Sequence, residues 1–438
     1  MKKTKINRHL YTIYGSKMMN WAKDLFPYNR SITGEGVRST LNYFKKFLPG
    51  LKINYVKTGY KAYDWIVPKE WKVNDAYISD LNGKKIVDFK KNNLHLIGYS
   101  HSIEKTMIYK DLDKKLVSDP NLKNAIPYRT SYYKKDWGFC ISHNNRKKIN
   151  KKKKYKVKID TEHFNGKLNY GEFFIKGRSK NEVLFSCNIC HPSMANNELS
   201  GPILVAALAH YLKNKKNHLS YRFIFIPETI GAIVYIKKNI KNLKKRLLAG
   251  FTLSCIGDNN NYTLLNSPYG NNYADEIAKI NLENLKKKFK IYSFVNRGSD
   301  ERQFCSPNLD LPFCSILRTK YGEFKEYHTS FDDLSFISKK GLANSFELIL
   351  NLINLIEKDK IYYSKFIGEP FLTKYNLKKS LSGERFLDTE TKNIINILAY
   401  SNGKRGLTEI SKILGENFNK LKNLADKLVR KKLLYIKS

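Results

Sequence analysis

Four short apolar runs in this chain each lead to a side chain able to bind a metal or move a proton. Residues 183–186 (Val-Leu-Phe-Ser) precede His191, Asn197 and Glu198; residues 222–226 end in Pro227-Glu228; residues 250–256 end in Gly257-Asp258; residues 314–318 lead into a loop carrying His328. Imidazole nitrogen is the usual zinc donor, and a carboxylate serves as ligand or as base. Short apolar runs bounded by turn residues fit strands buried in a parallel sheet. Ligands of an open α/β sheet bind just beyond the carboxyl ends of its strands, so the four runs would bring these side chains to one edge. Plainer readings stand beside this one. His191 also fits a hydrogen-bonded structural histidine, Glu228 and Glu198 fit helix caps, and Asp258 fits a polar turn with Asn259 and Asn260. Cys187-Asn188-Ile189-Cys190-His191 matches the c-type haem attachment spacing, but no export signal precedes it and no distal haem ligand stands out.

The elements that must position these groups follow from periodicity. Residues 201–212 have helical apolar spacing and pack back on the first strand, with His210 on a packed helix face. Residues 9–47 read as two helices around a turn at 27–36. From 52 to 166 the pattern changes to short alternating segments separated by Asn, Gly and Pro, a β-rich insertion in which residues 146–154 form a charged, solvated turn. Strands then alternate with helices to about residue 359, the signature of a mostly parallel sheet covered by helices. Gly341 reads as a break before a helix over 342–356. A linker at 369–384 precedes helices at 391–400, 407–414 and 418–428 and a terminal strand at 433–436, a winged-helix order. The expected domains are residues 1–50 with 167–370, residues 51–166, and residues 385–438.

The chain has 438 residues, a formal net charge of +41, 42% hydrophobic and 13% aromatic residues, which excludes a disordered chain. Lys, Asn and Ile are enriched together along its whole length, so the charge reads as composition rather than as a clustered polyanion surface. Lys420, Lys422, Lys427 and Arg430 flank the third helix of the tail, where only Asn417, Asn419 and Asn423 are amides of the base-reading type. Packing or homo-oligomerisation is therefore the expected role of the tail, and nucleic acid is not the expected partner. Six cysteines lie mostly in apolar runs and read as reduced, buried thiols. No apolar run reaches the roughly 18 residues of a membrane span, so a cytoplasmic location is expected.

Taken together, residues 25–34 (Leu-Phe-Pro-Tyr-Asn-Arg-Ser-Ile-Thr-Gly), 67–71, 132–143, 190–202, 227–231 and 298–332 resemble the zinc-dependent aminopeptidase and carboxypeptidase superfamily. The likeness is closest to bacterial proteins with an aminopeptidase-like domain, an inserted β-rich domain and a winged-helix tail, associated with polysaccharide-biosynthesis genes. The resemblance implies an α/β fold of that kind. It casts Glu228 as general base and His191, Asp258, His328 and Glu198 as the candidate metal ligands. Asp300 or Glu301 would then hold a substrate amine and Arg318 a carboxylate or phosphate, while Tyr132, Tyr133, Trp137 and His143 would roof the cleft. This sequence departs from the superfamily where it has Asn197 in place of a bridging carboxylate and Thr229 in place of a second acidic ligand, and the usual histidine falls nearer Asn188 than His191. One zinc ion is therefore expected rather than two. The expected reaction is metal-dependent hydrolysis of an amide, in a peptide or an acylated amino sugar. The alternatives are a metal-poor descendant that binds a glycan precursor or partner without turnover, and a winged-helix nucleic-acid binder.

Overall fold

The computed structural model describes residues 8–378 and 387–436; the later part of the linker expected at 369–384 lies outside them. The chain divides into two compact units, residues 1–278 with 286–350, and residues 279–285 with 351–438.

The first unit is built on an eight-stranded sheet: β1 (Lys52–Lys57), β2 (Lys167–Ile175), β3 (Glu182–Asn188), β4 (Ser220–Ile226), β5 (Leu247–Leu253), β6 (Thr263–Leu265), β7 (Lys290–Tyr292) and β8 (Phe313–Leu317), in the order β1-β2-β4-β3-β5-β8-β6-β7. The central strands β4, β3, β5 and β8 run parallel, and β1, β2 and β6 add antiparallel pairings. Every residue of β3 and of β8 is buried, as continuous apolar runs in a doubly covered sheet should be. Each fully buried Leu, Phe or Ile there contributes about 1.5–3 kcal/mol. The chain leaves β3 for β4 on one side, whereas β5 and β8 lie on the other, so the loops after β3 and β5 diverge and open a crevice at their carboxyl ends.

Helices α1 (Arg8–Leu25), α2 (Glu35–Lys45), α3 (Ser200–Leu212), α4 (Ile230–Arg246) and α5 (Lys339–Lys358) accompany this sheet. Helix α3 is buried along almost its whole length and approaches β5 closely: a Cβ on Gly201 would stand 2.3 Å from the Leu253 carbonyl oxygen. Gly341 lies inside the first turn of α5 rather than ahead of it, because its missing side chain admits the Gly257 carbonyl, 2.2 Å from where a Cβ would be.

The insertion forms a separate antiparallel sheet in the order 85–88, 70–79, 154–164, 103–108. β1, at its N-terminal side, belongs to the large sheet through its pairing with β2. Trp71, Tyr99, Phe139, Val157 and Ile159 belong to one buried cluster that continues into Leu184 and Ile226 of the large sheet.

The second unit is a winged helix: α6 (Thr389–Tyr400), α7 (Leu407–Leu414) and α8 (Phe418–Arg430) with a three-stranded sheet of β9 (Ile361–Tyr363), β10 (Asn402–Gly406) and β11 (Tyr435–Ile436). Asp388 and Asn417 cap α6 and α8 with their side chains. Phe418, Leu421, Leu424, Ala425 and Leu428 form the buried stripe of α8 at helical spacing. Strand β9 precedes the expected start of this domain, and three residues are too few for a period-2 signal to show. No described helix is long and apolar enough to cross a membrane.

Candidate active site

After β3 the chain makes a loop and then a π-helical turn, Ala195–Leu199, before α3 begins. The extra residue in such a turn re-aims side chains, and π-bulges frequently mark functional sites. Here it folds Glu198 back onto His191: Oε1 accepts the His191 backbone N–H at 2.8 Å and Oε2 lies 2.7 Å from Nδ1. Asp332 anchors the turn from below, accepting the Asn196 N–H at 2.6 Å and the Asn197 N–H at 2.8 Å on its two carboxylate oxygens. Fully buried Arg30 donates to the His191 carbonyl at 3.0 Å and to the Leu25 carbonyl at 2.8 Å. Burial lowers its pKa to about 10, opposed by the charge of Glu198. In the sequence Arg30 stands out only as part of the 25–34 motif, an arginine amid Pro, Tyr, Ile and Gly.

With Nδ1 committed to Glu198, the free Nε2 of His191 faces Glu228, whose Oε2 is 3.8 Å away. Burial works against protonation of His191, yet Tyr128 and Glu198 outweigh it and raise its pKa well above the ordinary value. Glu228 stands just after β4. Its Oε1 accepts the Ser299 hydroxyl at 2.8 Å, and Asn188 at the end of β3 donates to the same Ser299 oxygen at 3.0 Å. Burial raises the Glu228 pKa against the lowering effects of His191 and Ser299. The Glu228 side chain keeps 24% of its exposure, enough to meet a ligand. Next to it, Thr229 has a φ of +63° and gives its N–H to Asp300 at 2.7 Å, while its hydroxyl accepts from Arg302 at 2.8 Å. Asp300 is fully buried, and its Oδ2 has no partner among the described residues. Burial and the neighbouring Glu228 hold it well above the carboxylate range.

His328 arrives on its loop with φ +55° and lies with its ring centroid 5.5 Å from that of His191. Its ring stacks on Tyr327 and makes no hydrogen bond among the described residues; burial and His191 push its pKa down to about 3, so it is neutral. The insertion reaches this point through residues 126–130. Tyr128 takes its N–H to the His328 carbonyl, Ser330 and Ile126 exchange hydrogen bonds, and the Tyr128 ring lies 5.2 Å from both histidine rings. The Tyr128 hydroxyl meets that of Tyr132 at 3.1 Å.

Several expected site residues have other partners. Both oxygens of Asp258 are engaged, by Asn196 and the Thr319 N–H on one and by the Thr319 hydroxyl and the Asn260 N–H on the other; it ties the π-helical turn to the end of β8. Glu301 accepts the Gly298 and Ser299 N–H groups, the Tyr321 hydroxyl and the Ser315 hydroxyl, and so shapes the loop that presents Ser299. Arg318 is buried over the Tyr262 ring at 4.0 Å. Trp137 packs in the insertion core under Lys115, and His143 pairs with Ser118. Of the aromatic residues expected to roof the site, Tyr132 is the one connected to it, through Tyr128.

Two metal ions do not fit this donor set. Asn188, Asn197 and Thr229 are neutral, and among the described residues the Asn197 amide meets only the sulfurs of Met194 and Cys255. A single cation fits better: Glu198 orients His191 as a carboxylate behind a metal-binding histidine does, His328 is a neutral free imidazole, and Asp300 leaves a buried carboxylate oxygen unpartnered. Cys190, His191 and Glu198 also bring ligand atoms within 4.8 Å of one another. There the Cys190 thiol is pushed up to about 12 by burial, and Glu198 already holds Nδ1.

A relative from Clostridium acetobutylicum, described as a candidate polysaccharide biosynthesis protein with an aminopeptidase-like domain, is 39% identical over 424 residues, 96% of each chain. The crystal structure of a candidate peptidase from the same organism superposes with a TM-score of 0.87 at 37% identity, covering 98% of both chains. BSAP, a zinc aminopeptidase from Bacillus subtilis, shares the fold at 15% identity, with a TM-score of 0.59 over 80% of this chain and 95% of its own. A winged helix-turn-helix profile matches residues 360–436. A family profile described as "Domain of unknown function (DUF4910)" matches residues 19–359, and the chain belongs to that family, an aminopeptidase-like domain followed by a winged helix.

Proposed function

We propose that this protein is a metal-dependent amide hydrolase, acting on the N-terminal bond of a small peptide or on the acyl group of an amino sugar. The observation that carries the proposal is the line Glu198–His191–Glu228 at the carboxyl edge of the parallel sheet, in which one nitrogen of His191 is held and the other faces a carboxylate. His191, through Nε2, and His328 would hold one zinc-like ion. When bound, such an ion supplies Lewis acidity toward a carbonyl and toward water.

The remaining work falls to the chain's own groups. Ser299, fixed by Asn188, holds Oε1 of Glu228 and so turns Oε2 toward His191. From there Glu228 accepts a proton from the attacking water and delivers it to the leaving nitrogen. Burial raises its pKa toward the range where it can do both. Tyr128 and Tyr132 close one side of the site and limit access of bulk water.

The name of the C. acetobutylicum relative supports a setting in polysaccharide biosynthesis, and hence an acylated amino sugar among the substrates. Asn188, Asn197 and Thr229 support a second reading, a protein that binds such a compound without turning it over. The deciding experiment is metal analysis of protein purified without chelator, combined with hydrolysis of a panel of aminoacyl amides and N-acylated amino sugars. About one ion per chain with chelator-sensitive hydrolysis supports the first reading; a metal-free, inactive protein removes it.

A further inference from the structure

Arg302 and Gln303, which follow the Ser299 that holds Glu228, line a cavity of about 700 Å³, within the size range of small-molecule sites. Its lining includes Tyr269, Phe294, Arg297, Arg302, Gln303 and Asp310. Neither arginine forms an ion pair with a carboxylate among the described residues. Arg297 lies over the Phe294 ring at 4.8 Å and donates to the Phe294 carbonyl; Arg302 donates to the Ser299 carbonyl and to the Thr229 hydroxyl. The Arg297 guanidinium has only neutral partners among these contacts, and Arg302, though it also feels the charges of Glu228 and Asp300, hydrogen-bonds only neutral groups, so both can take an anion by charge-assisted hydrogen bonds. The Tyr269 side chain is 79% exposed and offers a flat face beside them. Asp310 is the one acidic group of the lining, against two cations.

We infer that this cavity binds a phosphorylated organic ligand, its phosphate on Arg297 and Arg302 and its flat or apolar portion against Tyr269. Arg302 also touches Thr229, which adjoins Glu228, so the cavity is continuous in bonding with the proposed catalytic group. As the anchoring site for a substrate whose amide reaches Glu228, it deepens the hydrolase reading and rests on it; as a phosphate site it stands by itself.

The test is direct binding to the full chain, measured by calorimetry with uridine diphosphate and with uridine as probes. Uridine diphosphate is expected to bind at least tenfold more tightly than uridine. Arg297→Gln, which alters only an exposed side chain, should erase most of that difference, Arg297→Lys should keep part of it, and Tyr269→Ala should weaken both probes. Glu228→Gln removes a negative charge near Arg302 and should not weaken binding, so a catalytically dead protein does not confuse the result. Equal binding of the two probes, or a difference that survives Arg297→Gln and Arg302→Gln in folded protein, overturns the inference.

Discussion

Both oxygens of Glu198 are spent on one residue, His191: Oε1 on its backbone N–H at 2.8 Å and Oε2 at 2.7 Å from Nδ1. A carboxylate that grips a histidine twice fixes the ring's rotation and its tautomer, so only Nε2 can face the ligand. Glu198→Gln keeps the shape but removes the charge, and metal affinity is expected to fall by about 10–100-fold, the usual cost of losing such an orienting carboxylate. Competition with a chromogenic chelator measures this, and unchanged affinity in a folded variant would show that Glu198 does not position the ligand.

Among the described residues the Glu228 side chain accepts one hydrogen bond, from Ser299, and faces His191 at 3.8 Å, so it is replaceable without disturbing the sheet. Glu228→Gln should retain the circular dichroism and metal content of the parent and lose about two to four orders of magnitude in turnover. A smaller loss would place the proton transfer elsewhere.

Asp332 ties a specific pH dependence to the π-helical turn. Burial pushes its pKa from 3.8 up to about 7, outweighing the two backbone N–H groups it accepts. The folded state therefore holds a proton that the unfolded chain gives up between those values. The contribution of Asp332 to stability is present in full below the lower value and is lost as pH rises through the higher one. Denaturant titrations from pH 4 to pH 8 should show this fall in the parent. Asp332→Asn removes the titration but places an amide against one of two N–H donors, so it should be less stable throughout and flatter with pH. A variant curve parallel to the parent's would assign the titration to another group.

The strands were legible because each is a short apolar run ending in a turn residue, and burial on both faces leaves no other solution for such runs. His191, Glu228, Asp258 and His328 all stand after those strand ends, as the runs imply. What the pattern did not show is that both oxygens of Asp258 are engaged, because its partners Asn196 and Thr319 come from remote segments, and no local pattern tells a ligand from a carboxylate that stitches loops together. Tyr128 was hidden for a related reason: it sits in an irregular stretch whose regular pairings among the described residues are two isolated bridges, Pro127 to Thr329 and Thr130 to Gly98. The role of Glu198 depended on a π-helical turn, which has no periodic signature.

In the winged helix, Lys420, Lys422 and Lys427 of α8 each have an acidic partner, Glu416, Asp426 and Glu390 respectively. Phosphate contacts would have to break those pairs. The full chain is expected to bind random duplex DNA weakly, without sequence preference, and to lose that binding between about 50 and 200 mM salt. Fluorescence anisotropy would settle it; tight binding to one sequence at physiological salt would make the tail a DNA reader.

Metal number is where this chain should differ most from the zinc aminopeptidases whose fold it shares. Two dications held about 3.5–4 Å apart need shared and flanking carboxylates to offset their repulsion. Asn197 has a neutral amide that meets the Met194 and Cys255 sulfurs, Asn188 is committed to Ser299, and Thr229 is committed to Arg302. Arg302 adds positive charge beside Thr229 and Glu228. A single ion avoids this, with His191 and His328 as donors and Glu228 beside them. Elemental analysis is therefore expected to give no more than about one zinc-like ion per chain. His328→Ala, which removes a ring that makes no hydrogen bond among the described residues, should lower that occupancy without unfolding the protein. Two tightly held ions in the parent, or full occupancy in the variant, would refute the one-ion site.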